Sequence, residues 1–96
     1  MTKLSPIHPG EILKEEYLKP LGLSATAFAK ILGVPPNRIS RILNGSSAVT
    51  AETSILLAKA LRTSPAFWIN LQSRYELQLA QDKAPSLDHI KPVIAA

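Results

Sequence analysis

The sequence predicts an all-α protein of five helices. Two observations lead to this prediction: apolar residues recur at helical spacing in five separate segments, and those segments are bounded by serine, threonine, proline or glycine. The chain has 96 residues and no cysteine, so we expect one small domain without a disulfide or a thiolate metal site. We assign residues 1–82 to this domain and residues 83–96 to a tail whose order the sequence does not predict.

The first helix is predicted in EILKEEYLK, directly after Pro9 and Gly10. Proline suits an early helical position because its missing N–H needs no partner there. Pro20 and Gly22 are expected to end the helix. His8 precedes Pro9, and we expect it to cap the helix. Neither of the two histidines has Asp, Glu or Cys at metal-ligand spacing, so no metal site is predicted.

Residues 25–44, ATAFAKILGVPPNRISRILN, read as two short helices joined by a tight turn. Ser24 is a suitable N-cap, and Gly33 suits a left-handed turn because it has no Cβ. Pro35 and Pro36 then open the second helix. Ala29 is small where the two helices cross, and Gly33 makes the turn. The residues that fill the wedge between the helices are apolar: Phe28, Leu32, Val34, Ile39 and Ile42. This pattern predicts a helix-turn-helix.

The second of these helices has a polar face opposite its apolar one. With 100° per residue, Asn37, Arg41 and Asn44 point away from the core, and Ser40 lies beside them. Asn and Arg pair with adenine and guanine edges, and the start of a recognition helix reaches the bases. We therefore predict groove contacts at Pro36, Asn37, Arg38 and Arg41, and further contacts to DNA at Thr26, Ser40, Asn44, Ser46 and Ser47. The alternatives are an ordinary solvated face and, for the two last serines, a simple turn.

The net charge of +4 coincides with this motif. Residues 1–20 and residues 65–96 each carry balanced charges, whereas all the excess lies between them: Lys30, Arg38, Arg41, Lys59 and Arg62 against Glu52. Such a location is expected for phosphate binding. The sequence has no apolar run of membrane-spanning length and no signal-peptide pattern, so a cytoplasmic, nucleoid-associated protein is expected.

Two more helices follow the motif. Thr50 is expected to cap the fourth, whose apolar residues are Ile55, Leu56, Ala58 and Leu61. Ser64 and Pro65 begin the fifth. Its apolar surface exceeds what one small domain needs, so we predict a homodimer contact at Phe67, Trp68, Leu71, Tyr75 and Leu79. The alternative is that all of this surface belongs to the monomer core.

Four segments together resemble one family: HPGEIL, LGVPPNRISRILNG, TAETSILLAKAL and TSPAFWINLQ. They are similar to the HigA-type, or VapI-like, antitoxins of the XRE (phage-repressor-like) helix-turn-helix superfamily. The resemblance implies a dimer that represses its own operon at a palindromic operator and neutralises a RelE-like mRNA-cleaving toxin, HigB. It also implies DNA contacts at the start of both motif helices and a phosphate contact after the second: Ala25, Thr26, Pro36, Asn37, Arg38 and Asn44.

Other functions remain as alternatives. A stand-alone repressor would have the same DNA site but no toxin partner, and a protein-interaction module would have lost DNA binding. No arrangement of residues supports catalysis or a cofactor. Glu15 and Glu16 are adjacent carboxylates, but they project about 100° apart on a helix and so do not share a site.

Overall fold

The computed structural model describes residues 5–95, and all regular secondary structure in that range is helical. The prediction of an all-α fold with five helices is confirmed. Helix α1 is a continuous segment built from Pro9–Ile12, Leu13–Leu18 and Lys19–Leu21; the others are α2 (Ala25–Leu32), α3 (Pro36–Leu43), α4 (Ala51–Leu61) and α5 (Pro65–Lys83).

The middle of α1 is a π-helix, and Pro20 explains where it lies. The Lys19 N–H bonds to the carbonyl of Lys14, five residues back. Proline has no N–H, and its ring would clash with the carbonyl four residues earlier in an ordinary α-helix. The wider turn before Pro20 relieves this conflict. Pro20 therefore lies inside the helix, and only Gly22, with φ of 66°, ends it as predicted.

The helix boundaries around the motif follow the predicted local signals. Gly33 adopts a left-handed conformation with φ of 74°, and Pro36 occupies the first position of α3. Pro35 is the residue before the helix, in an extended conformation. The three predicted caps are confirmed by hydrogen bonds from backbone N–H groups: Ala27 donates to Ser24 at 3.1 Å, Thr53 to Thr50 at 3.2 Å and Phe67 to Ser64 at 3.1 Å.

The core lies where α1 and α5 close over the helix-turn-helix. Its buried apolar members are Leu13, Leu18, Phe28, Ala29, Ile39, Ile42, Val49, Leu57 and Trp68. Leu32, Val34 and Leu43 are half-buried against them, so the predicted wedge forms. In α4 the apolar residues are not all buried. Ile55 is 60% exposed, and Leu57 is the residue that fills the core, because the buried face is set by packing on α5.

The structure does not support the predicted dimer contact at Trp68. Its side chain is 0% exposed within its own chain, and its indole Nε1 donates to Thr63 Oγ1 at 2.7 Å. A residue covered on all sides has no surface left for a partner. Trp68 therefore belongs to the monomer core, which anchors the first turn of α5.

The molecule is more elongated than a compact chain of 96 residues. It measures 51 × 29 × 21 Å, with a radius of gyration of 16.7 Å, whereas a compact chain of this length would have about 12.5 Å. The second half of α5 runs beyond the core, and residues 84–95 are exposed throughout. None of the helices in the described range is long and apolar enough to cross a membrane.

Candidate nucleic-acid interface

The start of α1 rests directly on the backbone of α3. Gly10 is buried, and a Cβ built on it would lie 1.7 Å from the carbonyl oxygen of Ile42. Two backbones approach this closely only when one of the residues has no side chain. Gly10 thus fixes the end of α3 against α1, which explains why a glycine stands in the HPGEIL segment.

His8 connects three parts of the fold at this end of α3. Its Nδ1 accepts a hydrogen bond from the Gly10 N–H at 2.8 Å, so the predicted cap is confirmed. Its ring packs edge-on against Tyr75 of α5, with 4.9 Å between centroids. Burial lowers the pKa of His8, and a hydrogen bond with the backbone of Ser47 opposes this shift in part. The neutral ring therefore holds the loop after α3 in place.

The other end of α3 is held by Arg38. Its Nη2 donates to Glu52 Oε1 at 2.9 Å and to Thr53 Oγ1 at 2.8 Å, both in the first turn of α4. The Arg38 side chain is 34% exposed, whereas that of Glu52 is 74% exposed. The sequence predicts a base contact at Arg38, but in the structure its guanidinium joins the starts of α3 and α4. The recognition helix is consequently attached to the rest of the chain at both ends.

Between these two attachments α3 presents its polar face to solvent. Asn37, Arg41 and Asn44 are exposed, as are Pro36 and Ser40. The Ser40 hydroxyl donates to the Pro36 carbonyl at 3.3 Å, a local bond within the helix. Arg41 is the longest polar side chain on this face, and neither Arg41 nor Asn37 is covered by its own chain.

The loop after α3 is held by Asn44. Its Oδ1 accepts from the backbone N–H of Ser46 at 3.0 Å and also from the Ser46 hydroxyl. The Ser46 N–H also bonds to the Arg41 carbonyl at 2.9 Å. The oxygen of Asn44 is an acceptor within the loop. Its amide N–H₂ group is the donor that can bind a phosphate. Ser46 is exposed and Ser47 is half-buried.

The remaining predicted residues lie at the start of α2, on the same side of the molecule. Ala25 is half-buried and packs against the core, whereas Thr26 is exposed. Ala25 lines a shallow groove of about 220 Å³ together with two α3 residues, the following Asn44 and one residue of α1: Ser40, Leu43, Asn44 and Lys14.

Lys14 is a residue that sequence reasoning missed. It was counted in a segment of zero net charge, beside Glu15. In the structure Glu15 pairs with Lys19, 3.0 Å apart, and Lys14 lies next to the recognition helix. The helical spacing of Glu15 and Lys19 was a usable signal, since i,i+4 pairs of this order are favourable. The contact between α1 and α3 was not visible in the sequence.

Comparison with known proteins identifies the family. The sequence profile of the family described as Helix-turn-helix matches residues 14–68. Virulence-associated protein I of Dichelobacter nodosus is 43% identical over 92 residues, which cover 96% of this chain and 85% of the relative. An addiction module antidote protein of the HigA family from Coxiella burnetii has a TM-score of 0.80 and 47% identity, covering 84% of this chain and 88% of that one.

The chain belongs to the HigA-type antitoxin family. A further member is the Pseudomonas aeruginosa antitoxin HigA, solved with the higBA promoter, with a TM-score of 0.85 and 35% identity over 93% of this chain and 99% of that one. HigA-type proteins are DNA-binding antitoxins and regulators rather than enzymes. The resemblance stated from the sequence is thereby confirmed, and this HigA-type chain is a DNA-binding helix-turn-helix protein.

Proposed function

We propose that this protein is a homodimeric repressor of its own operon, which binds an inverted-repeat operator and neutralises a RelE-like mRNA-cleaving toxin. The observation on which the DNA-binding part rests is the geometry of α3. The helix is attached to the chain at both ends, and Asn37 and Arg41 stand exposed between the attachments.

Within this proposal the polar residues have different roles. Asn37 and Arg41 read base edges, because Asn and Arg form bidentate pairs with adenine and guanine in the major groove. Arg38 positions the start of α3 through Glu52 and Thr53. Thr26, Asn44 and the serines of the loop contact phosphates and fix the register of the protein on the duplex.

The proposed dimer forms through the apolar surface of α5, on which a second copy packs with two-fold symmetry. A dimer would place two recognition helices in successive major grooves, about 34 Å apart on one face of the duplex. An inverted repeat is the DNA sequence that matches such a pair. Leu77 is 59% exposed, Phe67 is exposed in part and Leu79 is half-buried, so α5 retains apolar surface for a second copy.

The DNA role is tested by Arg41→Ala. If Arg41 pairs with a guanine, binding to the protein's own promoter should weaken by about 1–3 kcal/mol, and preference over scrambled DNA should fall. Fluorescence anisotropy on both DNAs measures this. Ser73→Ala, an exposed change on α5, serves as the control. Equal loss on promoter and scrambled DNA would make Arg41 a phosphate contact instead.

The toxin role is supported by the names of related proteins, among them an addiction module antidote protein and an antitoxin. Capture of the protein from its native cell should recover a small toxin chain in stable complex with it. Promoter binding without any co-purifying toxin would favour the stand-alone repressor. Failure to bind the promoter, together with capture of another partner, would favour the interaction module.

A further inference from the structure

The groove between α1 and the motif has a single charge on its walls. Its lining residues within the described range are Lys14, Ala25, Ser40, Leu43 and Asn44, and of these only Lys14 is charged. Ala25 begins the first motif helix, Ser40 lies on α3 and Asn44 follows α3. Every other polar group at this groove therefore belongs to the surface that the proposed function turns toward the duplex.

None of the carboxylates of α1 lines the groove that contains Ala25 and Ser40. Glu15, the immediate neighbour of Lys14, is paired with Lys19 at 3.0 Å on the next turn. Glu11 and Glu15 line an adjoining depression beside His8 and Tyr75, which shares Lys14, Leu43 and Asn44 with the groove but does not reach Ala25 or Ser40. On the motif side of α1, an ammonium group stands beside a hydroxyl and an amide.

We propose that Lys14 binds a DNA phosphate, as a contact supplied from outside the helix-turn-helix motif. The inference rests on the proposed function and extends it, because it adds a residue of α1 to the DNA surface. Lys14 is exposed, and lysine is a flexible point charge with three donors, which suits a phosphate better than a base edge. Its contribution is electrostatic and independent of DNA sequence.

A phosphate contact at Lys14 makes the affinity for DNA more dependent on salt. Each phosphate neutralised releases counterions and contributes about 0.9 to the slope of log affinity against log salt. Referred to 1 M salt, the same relation gives roughly a fivefold weaker affinity at about 0.15 M for each protomer that loses the contact. A dimer has two copies of Lys14, so its slope should fall by about 1.8.

The test compares Lys14→Gln with Lys14→Arg and with a matched control, Lys83→Gln. Lys83 is also exposed, but it ends α5 and lies eight residues beyond Tyr75, about 12 Å along the helix from the contact with His8. Affinities are measured by anisotropy for promoter and scrambled DNA over a salt series, and thermal melts check folding. We expect the Gln variant to lose slope and affinity equally on both DNAs, and the Arg variant to retain them.

Each other outcome has a definite meaning. If Lys14→Gln matches Lys83→Gln while the wild type still prefers its promoter, the inference about Lys14 is overturned and the proposed function stands. A loss confined to promoter DNA would make Lys14 a base contact and also overturn it. If the wild type shows no promoter preference, the proposed function fails, whereas the slope on scrambled DNA still decides whether Lys14 binds phosphate.

Discussion

At the scale of single residues, Gly10 and His8 determine where α3 lies relative to α1. Gly10 allows the two backbones to touch at the Ile42 carbonyl, and His8 bonds to Gly10 while its ring packs on Tyr75. Neither residue is among the proposed DNA contacts. Their effect on DNA binding is therefore indirect and acts through the position of α3.

Gly10→Ala should destabilise the protein by about 3 kcal/mol, at the upper end of overpacking costs, because a backbone carbonyl cannot move aside as a side chain can. Gly22→Ala is the control. No atom lies within 4 Å of its added Cβ, and only its φ of 66° opposes the change, which costs about 1 kcal/mol. Urea unfolding measures both. Similar losses for the two variants would mean that α1 and α3 can separate without cost.

At the scale of helices, the local signals in the sequence predicted most of what the structure shows. The caps at Ser24, Thr50 and Ser64 and the turn at Gly33 each depend on a few neighbouring residues, so a linear pattern was sufficient. Contacts between helices were not predictable in this way. Arg38 and Glu52 are 14 residues apart, and Lys14 reaches the motif only because α1 folds back on α3.

The link between α3 and α4 should limit how much charge Arg38 offers to DNA. Glu52→Gln keeps a hydrogen-bond acceptor but removes the negative charge, so binding to scrambled DNA should become tighter and its salt slope steeper. Stability should fall by less than about 1 kcal/mol, since exposed ion pairs contribute little. Anisotropy and thermal melts measure the two effects.

Glu16→Gln is the matched control for that substitution. Glu16 is exposed and lies near Arg62 and Tyr17, in a groove that contains no residue of the motif. Glu16→Gln changes the net charge of the protein by the same amount as Glu52→Gln. If both variants tightened DNA binding equally, the effect would come from net charge alone, and the specific role of the Arg38–Glu52 pair would be refuted.

At the scale of the whole molecule, the elongated shape reflects a helix that extends past its own core. Leu71 packs against the core and Tyr75 against His8. Exposed Leu77, half-buried Leu79 and part of Phe67 remain as the apolar surface of α5 for a partner. The sequence predicted this helix but not which of its residues the monomer would cover. Trp68 was assigned to the wrong surface because an apolar stripe does not reveal its depth.

Leu77→Glu should convert the proposed dimer into a monomer, because a carboxylate facing an apolar partner surface loses its hydration. Sedimentation velocity gives the oligomeric state. Ile55→Glu is the control, since Ile55 is equally exposed, at 60%, but lies on α4. An unchanged dimer in the Leu77 variant, or a monomer in the control, would contradict the assignment to α5.

The attachment of α3 at both ends has a kinetic consequence. Because Arg38 and Gly10 hold the helix in place before any duplex arrives, little conformational entropy is lost on docking. Arrival at the DNA is then governed mainly by charge and diffusion, which hardly distinguish one base sequence from another. Good and poor operators should therefore differ chiefly in the residence time of the bound protein.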